Sequence, residues 1–124
     1  MADVVLTATW SREPLLHLAD TRPGQHFTSL GVDEPGKAEL ASDLLDAALL
    51  VVDDRELAAG VGVLRPADAT LGEVVRCEHP VRTADRDRTV YAPVGMPWQD
   101  LALAWTAYER AAREGIGRRV DLLA

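Results

Sequence analysis

The sequence predicts an α/β fold, a partly open parallel sheet followed by a C-terminal amphipathic helix, and three observations predict it. Short, β-branched, apolar runs at residues 3–9, 25–30, 49–52 and 89–95 read as strands covered on both faces, the usual pattern of parallel strands. Turns or a short helix separate the first three runs, the rhythm of parallel crossovers. After Pro97 the apolar residues recur with a helical period as far as Gly115.

Taken in order, residues 3–9 (Asp-Val-Val-Leu-Thr-Ala-Thr) change from apolar to polar, as a strand does when its end emerges from a sheet. With no strand ahead of it, this run is expected at a sheet edge, or beside a part that precedes it. Residues 14–18 are expected to form one helical turn, and Arg22-Pro23-Gly24 a turn into the second strand, 25–30. Ser42 is the expected N-cap of a short helix with Leu44, Leu45 and Ala48 on one face, and 49–52 follows as the third strand. A helix beginning in 53–59 is expected to break at Gly60 and Gly62, with 65–68 as surface loop. Residues 71–77 fit a strand or a helix equally. Charges and Pro80 mark 78–88 as an exposed excursion.

The strand at 89–95 ends on Gly95, which permits close backbone approach. Pro97 suits the first turn of the next helix. Leu101, Ala104, Trp105, Tyr108 and Ala112 share one face of it, Glu109 and Arg113 are spaced as an i,i+4 pair, and Gly115 stands at the C-terminal cap. Trp98, Trp105 and Tyr108 are therefore expected to pack in a core or an interface.

Composition narrows the function. The chain has 124 residues and a formal net charge of −7, so it lacks the positive field that draws in nucleic acid or anionic lipid, and neither partner is expected. Cys77 is the only cysteine, and neither a signal sequence nor an apolar run of about 20 residues is seen, which points to the cytoplasm. His17, His26 and His79 are scattered, and Cys77-Glu78-His79 lacks paired ligand spacing, so no metal is expected. No Ser/His/Asp set or Cys/His pair has the context for nucleophilic chemistry. There is no G-x-G-x-x-G; Gly60-Val61-Gly62 lacks a strand-turn-helix setting, so the chain by itself has no evident pyrophosphate cradle.

Gly31-Val32-Asp33-Glu34-Pro35-Gly36-Lys37-Ala38-Glu39-Leu40 is the richest stretch, an acid and a base in a Gly/Pro turn after the second strand. Asp33 would lie beyond the carboxyl end of that strand, where open parallel sheets bind ligands. Its plain alternative is a turn aspartate, which this loop chemistry also favours. Lys37 reads as a solvated or helix-entry charge. For Thr7 and Thr9, strand termination competes with ligand contact.

Order and wording together resemble the ornithine cyclodeaminase/mu-crystallin family. The resemblance is carried by Ala2-Asp3-Val4-Val5-Leu6-Thr7-Ala8-Thr9, Ser11-Arg12-Glu13-Pro14, Arg22-Pro23-Gly24, the Gly31 to Leu40 stretch, Val94-Gly95 with Gln99-Asp100-Leu101, and Tyr108-Glu109 with Gly115-Ile116-Gly117. It covers only the family's C-terminal part. It implies a partial Rossmann-like parallel sheet over 1–95, the C-terminal half of a dinucleotide-binding domain, and a helix and return segment toward the dimerisation domain over 96–124. The N-terminal substrate-binding and dimerisation domain and the Gly-rich loop would be missing. The implied chemistry is NAD- or NADP-dependent oxidation of an amino acid to an imine, the reverse reduction, or cyclodeamination of ornithine to proline and ammonia. Asp33 matches the catalytic aspartate, a proton acceptor and donor beside the substrate amine. Thr7, Ala8 and Thr9, with Val94 and Gly95, match the residues at strand ends that approach the nicotinamide. Tyr91-Ala92-Pro93 and Met96-Pro97-Trp98 depart from the family pattern. The resemblance thus implies an enzyme inactive alone, binding NAD or NADP and an amino-acid or imine substrate only once a separately encoded N-terminal half or a homodimer completes the site. The competing expectation is a non-catalytic interaction module or remnant fragment.

Overall fold

The computed structural model describes residues 2–61, 64–80 and 82–121. The chain divides into two compact units, Met1–Val94 and Gly95–Ala124. The first is an α/β sheet domain whose strands, β1 (Val4–Thr7), β2 (His26–Ser29), β3 (Ala48–Val52), β4 (Ala69–Thr70) and β5 (Arg88–Tyr91), are all parallel in the order β1-β2-β5-β3-β4. The helices of this unit are α1 (Ser42–Asp46), α2 (Arg55–Val61) and α3 (Leu71–Val75). β1 stands at one end of this strand order.

Phe27, Leu44, Leu45, Leu50, Val52, Val90 and Ala92 form the centre of the core. β3 supplies the most apolar strand, Ala-Leu-Leu-Val-Val, because it lies inside the sheet between β5 and β4. β2 alternates instead. Phe27 and Ser29 are buried, while His26 bonds the hydroxyls of Thr89 (2.8 Å) and Thr28 (3.1 Å) through its two ring nitrogens.

Several local expectations are corrected, and tertiary hydrogen bonds explain most of the changes. Residues 14–18 are not a helical turn: Leu15 and Leu16 donate their N–H groups to the Glu39 carbonyl (2.8 and 3.3 Å), and the single turn of 3₁₀ helix comes later, at Leu18–Asp20. Ala41, not Ser42, is the N-cap of α1. The Ala41 N–H is held by the Leu16 carbonyl (2.9 Å) and its own carbonyl accepts from Leu44 and Leu45 (both 3.1 Å), so the helix begins one residue early. α2 runs through Gly60, started by Asp54 Oδ1 accepting from the N–H groups of Glu56 and Leu57 (both 2.9 Å); Gly62 lies outside the described residues. Of the ambiguous segment 71–77, Leu71–Val75 form α3, opened by a capping box in which Thr70 and Glu73 serve each other's backbone N–H.

The loop at 65–68 is a clamp. Arg65 donates to the carbonyls of Leu45 (3.0 Å) and Ala48 (2.8 Å), and Asp68 accepts the Leu50 N–H (2.7 Å) while pairing with Arg65 (2.5 Å). Residues 82–86 are exposed but tied to the turn before β2, with Gly24 N–H bonded to the Arg86 carbonyl (3.0 Å) and Arg82 to the Gly24 carbonyl (3.0 Å).

The second unit is built on α4 (Pro97–Glu114), whose limits follow from Pro97 in its first turn and Gly115 at φ 66°, the left-handed cap. Its Trp105 and Tyr108 rings lie 5.5 Å apart. Arg110 and Glu114 form an i,i+4 pair on this helix (2.9 Å), one step along from the expected Glu109 and Arg113. No helix among the described residues is long and apolar enough to cross a membrane.

Candidate functional site

Because every strand runs the same way, all carboxyl ends in the first unit open on one edge of the sheet, and open α/β sheets bind ligands beyond that edge. Thr7 ends β1, with Ala8 and Thr9 just beyond; Ser29 ends β2 beside Thr7, and the Leu30 N–H extends the ladder to the Thr7 carbonyl (2.8 Å). Asp53 follows β3, and its Oδ1 accepts the N–H of Val94 (3.1 Å), which follows β5. Thr7, Ala8, Thr9 and Val94 therefore lie at this edge, and Asp33 stands in the loop that follows β2. Gly95 opens the other unit, at φ 93°.

The segment after β2 runs alongside the segment after β1 in the same direction. Ala38 N–H bonds the Ser11 carbonyl (2.9 Å), Leu15 N–H bonds the Glu39 carbonyl (2.8 Å), and Leu16 bridges Leu40. This lacing fixes two carboxylates in contrasting settings.

The first is Glu39, fully buried. Its Oε2 accepts from Thr7 Oγ1 (2.7 Å), Ser29 Oγ (2.7 Å) and Gly31 N–H (2.9 Å); its Oε1 accepts from Thr9 N–H (2.6 Å) and Thr9 Oγ1 (2.8 Å). Burial pushes the carboxyl upward, but these donors outweigh it and bring the pKa down to about 2. Glu39 is thus an anion held by neutral dipoles, knotting the ends of β1 and β2. Gly31 has no side chain for a plain reason: a Cβ there would lie 2.3 Å from the Thr9 carbonyl oxygen and 2.5 Å from Glu39 Oε1.

The second is Asp33, whose side chain is 51% exposed, so it can meet a ligand. Its Oδ1 accepts from Lys37 Nζ at 2.7 Å, and that bond holds its carboxyl below the ordinary value. Lys37 is not the solvated charge expected of a helix entry. Its side chain is only 5% exposed, because the ammonium is enclosed by Asp33, by Glu34 Oε1 at 3.6 Å and by the ring of Trp10, 4.0 Å from the centroid.

The sequence singled out neither Glu39 nor the burial of Lys37. The one available signal for Glu39 was indirect: hydroxyl residues end both flanking strands, at Thr7, Thr9 and Ser29, close to a glycine. The hydroxyls of Thr7 and Thr9 donate to Glu39, and Thr9 Oγ1 also accepts the Ser11 N–H (3.3 Å), so these side chains serve the carboxylate first. Thr7, Ala8 and Thr9, small residues at a strand end, could border the reacting end of a dinucleotide. The pyrophosphate end finds no cradle among the described residues, since Gly60 belongs to α2.

The model of the Ornithine cyclodeaminase/mu-crystallin family matches residues 1–115. Alanine dehydrogenase of Archaeoglobus fulgidus is 34% identical over 129 residues, 95% of this chain and 40% of that protein. An archaeal alanine dehydrogenase dimer solved with bound NAD aligns with a TM-score of 0.88 at 32% identity, covering 98% of this chain and 41% of that one. The Δ1-pyrroline-2-carboxylate reductase of Thermococcus litoralis, solved in complex with NADH and L-proline, aligns with a TM-score of 0.84 at 30% identity, covering 96% and 41%. The chain spans about two fifths of the length of these relatives. With a parallel sheet of the same fold and a match across nearly its whole length, the chain belongs to the ornithine cyclodeaminase/mu-crystallin family.

Proposed function

We propose that this chain forms the nicotinamide-facing part of an NAD- or NADP-dependent enzyme that interconverts an amino acid and its imine, with Asp33 as the acid/base group. The observation that carries the reading is the placement of Asp33: a half-exposed carboxylate, kept ionised by Lys37, beyond the carboxyl edge of a parallel sheet. The bound dinucleotide would accept or supply the hydride. Asp33 would accept the proton that the substrate ammonium must lose before its α-carbon gives up hydride, and return it in the reverse direction. Thr7, Ala8 and Thr9 would border the nicotinamide from the β1 end, and Val94, held by Asp53, from the β5 end; Gly95 continues from Val94. The substrate carboxylate clamp and pyrophosphate cradle would come from a further polypeptide segment, an N-terminal half or a partner copy.

Amino-acid dehydrogenation, imine reduction and cyclodeamination of ornithine all fall within this reading, because an alanine dehydrogenase, a pyrroline-carboxylate reductase and a probable ornithine cyclodeaminase are all similar to the chain. The test is calorimetric titration of the chain with NADH, alone and mixed with the N-terminal half of a full-length relative. Turnover of alanine, Δ1-pyrroline-2-carboxylate and ornithine is then followed with Asp33→Asn as control. NADH binding and Asp33-dependent turnover in the mixture are expected. No binding and no turnover in either arm would overturn the reading in favour of an interaction module. That second reading has its own observation: Val4 and Leu6 on edge strand β1 are each 62% exposed, and an apolar edge invites a partner strand.

A further inference from the structure

Lys37 is the only lysine in the chain; the other twelve of its 13 basic residues are arginine. A composition so weighted toward arginine makes the exception informative. The lone lysine is also a buried cation, 4% exposed overall, placed against the carboxylate assigned above to chemistry. Its surroundings suit a compact charge. Asp33 Oδ1 lies at 2.7 Å, Glu34 Oε1 at 3.6 Å and the Trp10 ring centroid at 4.0 Å, all converging on one atom. A planar guanidinium directs its donors in a fixed fork and would not satisfy that arrangement.

We infer that Lys37 is a positioning residue, a fixed ammonium that, under the cover of Trp10, holds the Asp33 carboxylate in place at the mouth of the strand-end edge. The inference rests on the reading of Asp33 as the acid/base group. Lys37 is not itself a catalytic amine: an ammonium with two carboxylates and an aromatic face around it is stabilised in its charged form, and Asp33 does raise its pKa. The pair is reciprocal, since the same hydrogen bond lowers Asp33. The other charges facing it are few. Glu34 adds to the hold on the ammonium, Glu39 behind the loop opposes ionisation of Asp33, and the Arg12 guanidinium lies over the turn at Gly36.

A single lysine makes the test direct. In the full chain labelled with [15Nζ]lysine and [13Cγ]aspartate, one lysine side-chain nitrogen signal is expected, and Asp33→Asn identifies the Asp33 carboxyl signal by its loss. In the wild-type chain the Lys37 nitrogen should shift through the same pH midpoint as the Asp33 carboxyl. In Lys37→Met the Asp33 midpoint should rise toward the ordinary aspartate range. In Trp10→Leu, which keeps the ion pair and opens its cover, the lysine signal should broaden through faster exchange with water. A Lys37 nitrogen that ignores the Asp33 titration in the wild-type chain overturns the inference, as does an unmoved Asp33 midpoint in Lys37→Met. The wild-type arm decides the matter even if Lys37→Met fails to fold. The completed assembly separates the two claims. With coupling established, Lys37→Met should move the acidic limb of the kcat/KM profile upward in pH. If Asp33→Asn instead keeps full turnover, the reading of Asp33 as acid/base group fails while the coupling itself stands.

Discussion

Asp33 and Glu39 belong to one loop, yet the protein keeps their two carboxylates ionised by opposite means. Glu39 has no exposed surface and, among the described residues, no ion pair; five neutral donors from residues 7, 9, 29 and 31 surround its two oxygens. Asp33 is half in water and is held by one cation. The contrast separates two tasks. An anion sealed among fixed dipoles cannot change its proton without unravelling the knot, so Glu39 serves the architecture. An anion with one partner and an open side can change partners, so Asp33 is available to a ligand. Both settings follow from the lacing of residues 38–41 to 11–16, which places Glu39 below the strand ends and Lys37 beneath Trp10.

The most severe test of this contrast is Gly31→Ala. Its methyl group would fall 2.3 Å from the Thr9 carbonyl oxygen and 2.5 Å from Glu39 Oε1, and neither the backbone nor the sealed carboxylate has room to retreat. A loss of about 4 kcal/mol or more is expected in denaturant unfolding. A loss below about 1 kcal/mol would show the knot to be pliable and the contrast overdrawn.

Glu39→Gln comes next. It preserves shape and removes charge, but each oxygen of Glu39 accepts one backbone N–H, from Thr9 on one side and Gly31 on the other. Whichever way the glutamine amide turns, its NH2 faces an N–H that cannot rotate away. The expected cost is about 3 kcal/mol, measured as a fall in the denaturant midpoint at neutral pH. A nearly neutral effect would mean that this anion matters no more to stability than the one at position 33.

Acid sharpens the same point. The Glu39 carboxyl is lowered from 4.5 to about 2, so its contribution is complete above about pH 4.5 and disappears as pH falls toward 2. That shift corresponds to on the order of 3 kcal/mol. Asp33, also lowered, acts in the same direction. Other carboxylates share the trend, Glu73 among them, so the informative quantity is the difference between wild type and Glu39→Gln. Unfolding free energies of the two should converge as pH drops from 4.5 to 2.

How much of this was legible in the sequence depends on how local the cause is. The run behind β3 announces itself, because a parallel strand inside a sheet is apolar along its length; those behind β1, β2 and β5 do so by short apolar and β-branched stretches, and the ends of α4 are marked by Pro97 and Gly115. Two-residue β4 offers no such run. Ser42 is a good cap by type, but the bond between Ala41 N–H and the Leu16 carbonyl starts the helix sooner. Asp33 drew notice as an acid in a loop after a strand. Lys37 is visible there only as a charge, since its burial requires Trp10 to fold over it from another segment. Glu39 is less legible still: three of its five donors, on Thr7 and Thr9, reach it only when β1 and β2 pair.

The smallest expected change in stability carries the largest consequence for function. Asp33→Asn removes one charge from a half-exposed pair and leaves an amide oxygen that can still accept from Lys37, so thermal or denaturant unfolding should differ from wild type by no more than about 1 kcal/mol. In a completed assembly the same substitution should lower kcat by about 10²- to 10⁴-fold, because an amide cannot take up a proton from the substrate ammonium. NADH binding should change little, since the dinucleotide would meet the ends of β1 and β5 and not this carboxylate. Near-normal turnover in Asp33→Asn would erase the functional half of the contrast. Large destabilisation would erase the other half, making Asp33 a structural anion of the same kind as Glu39.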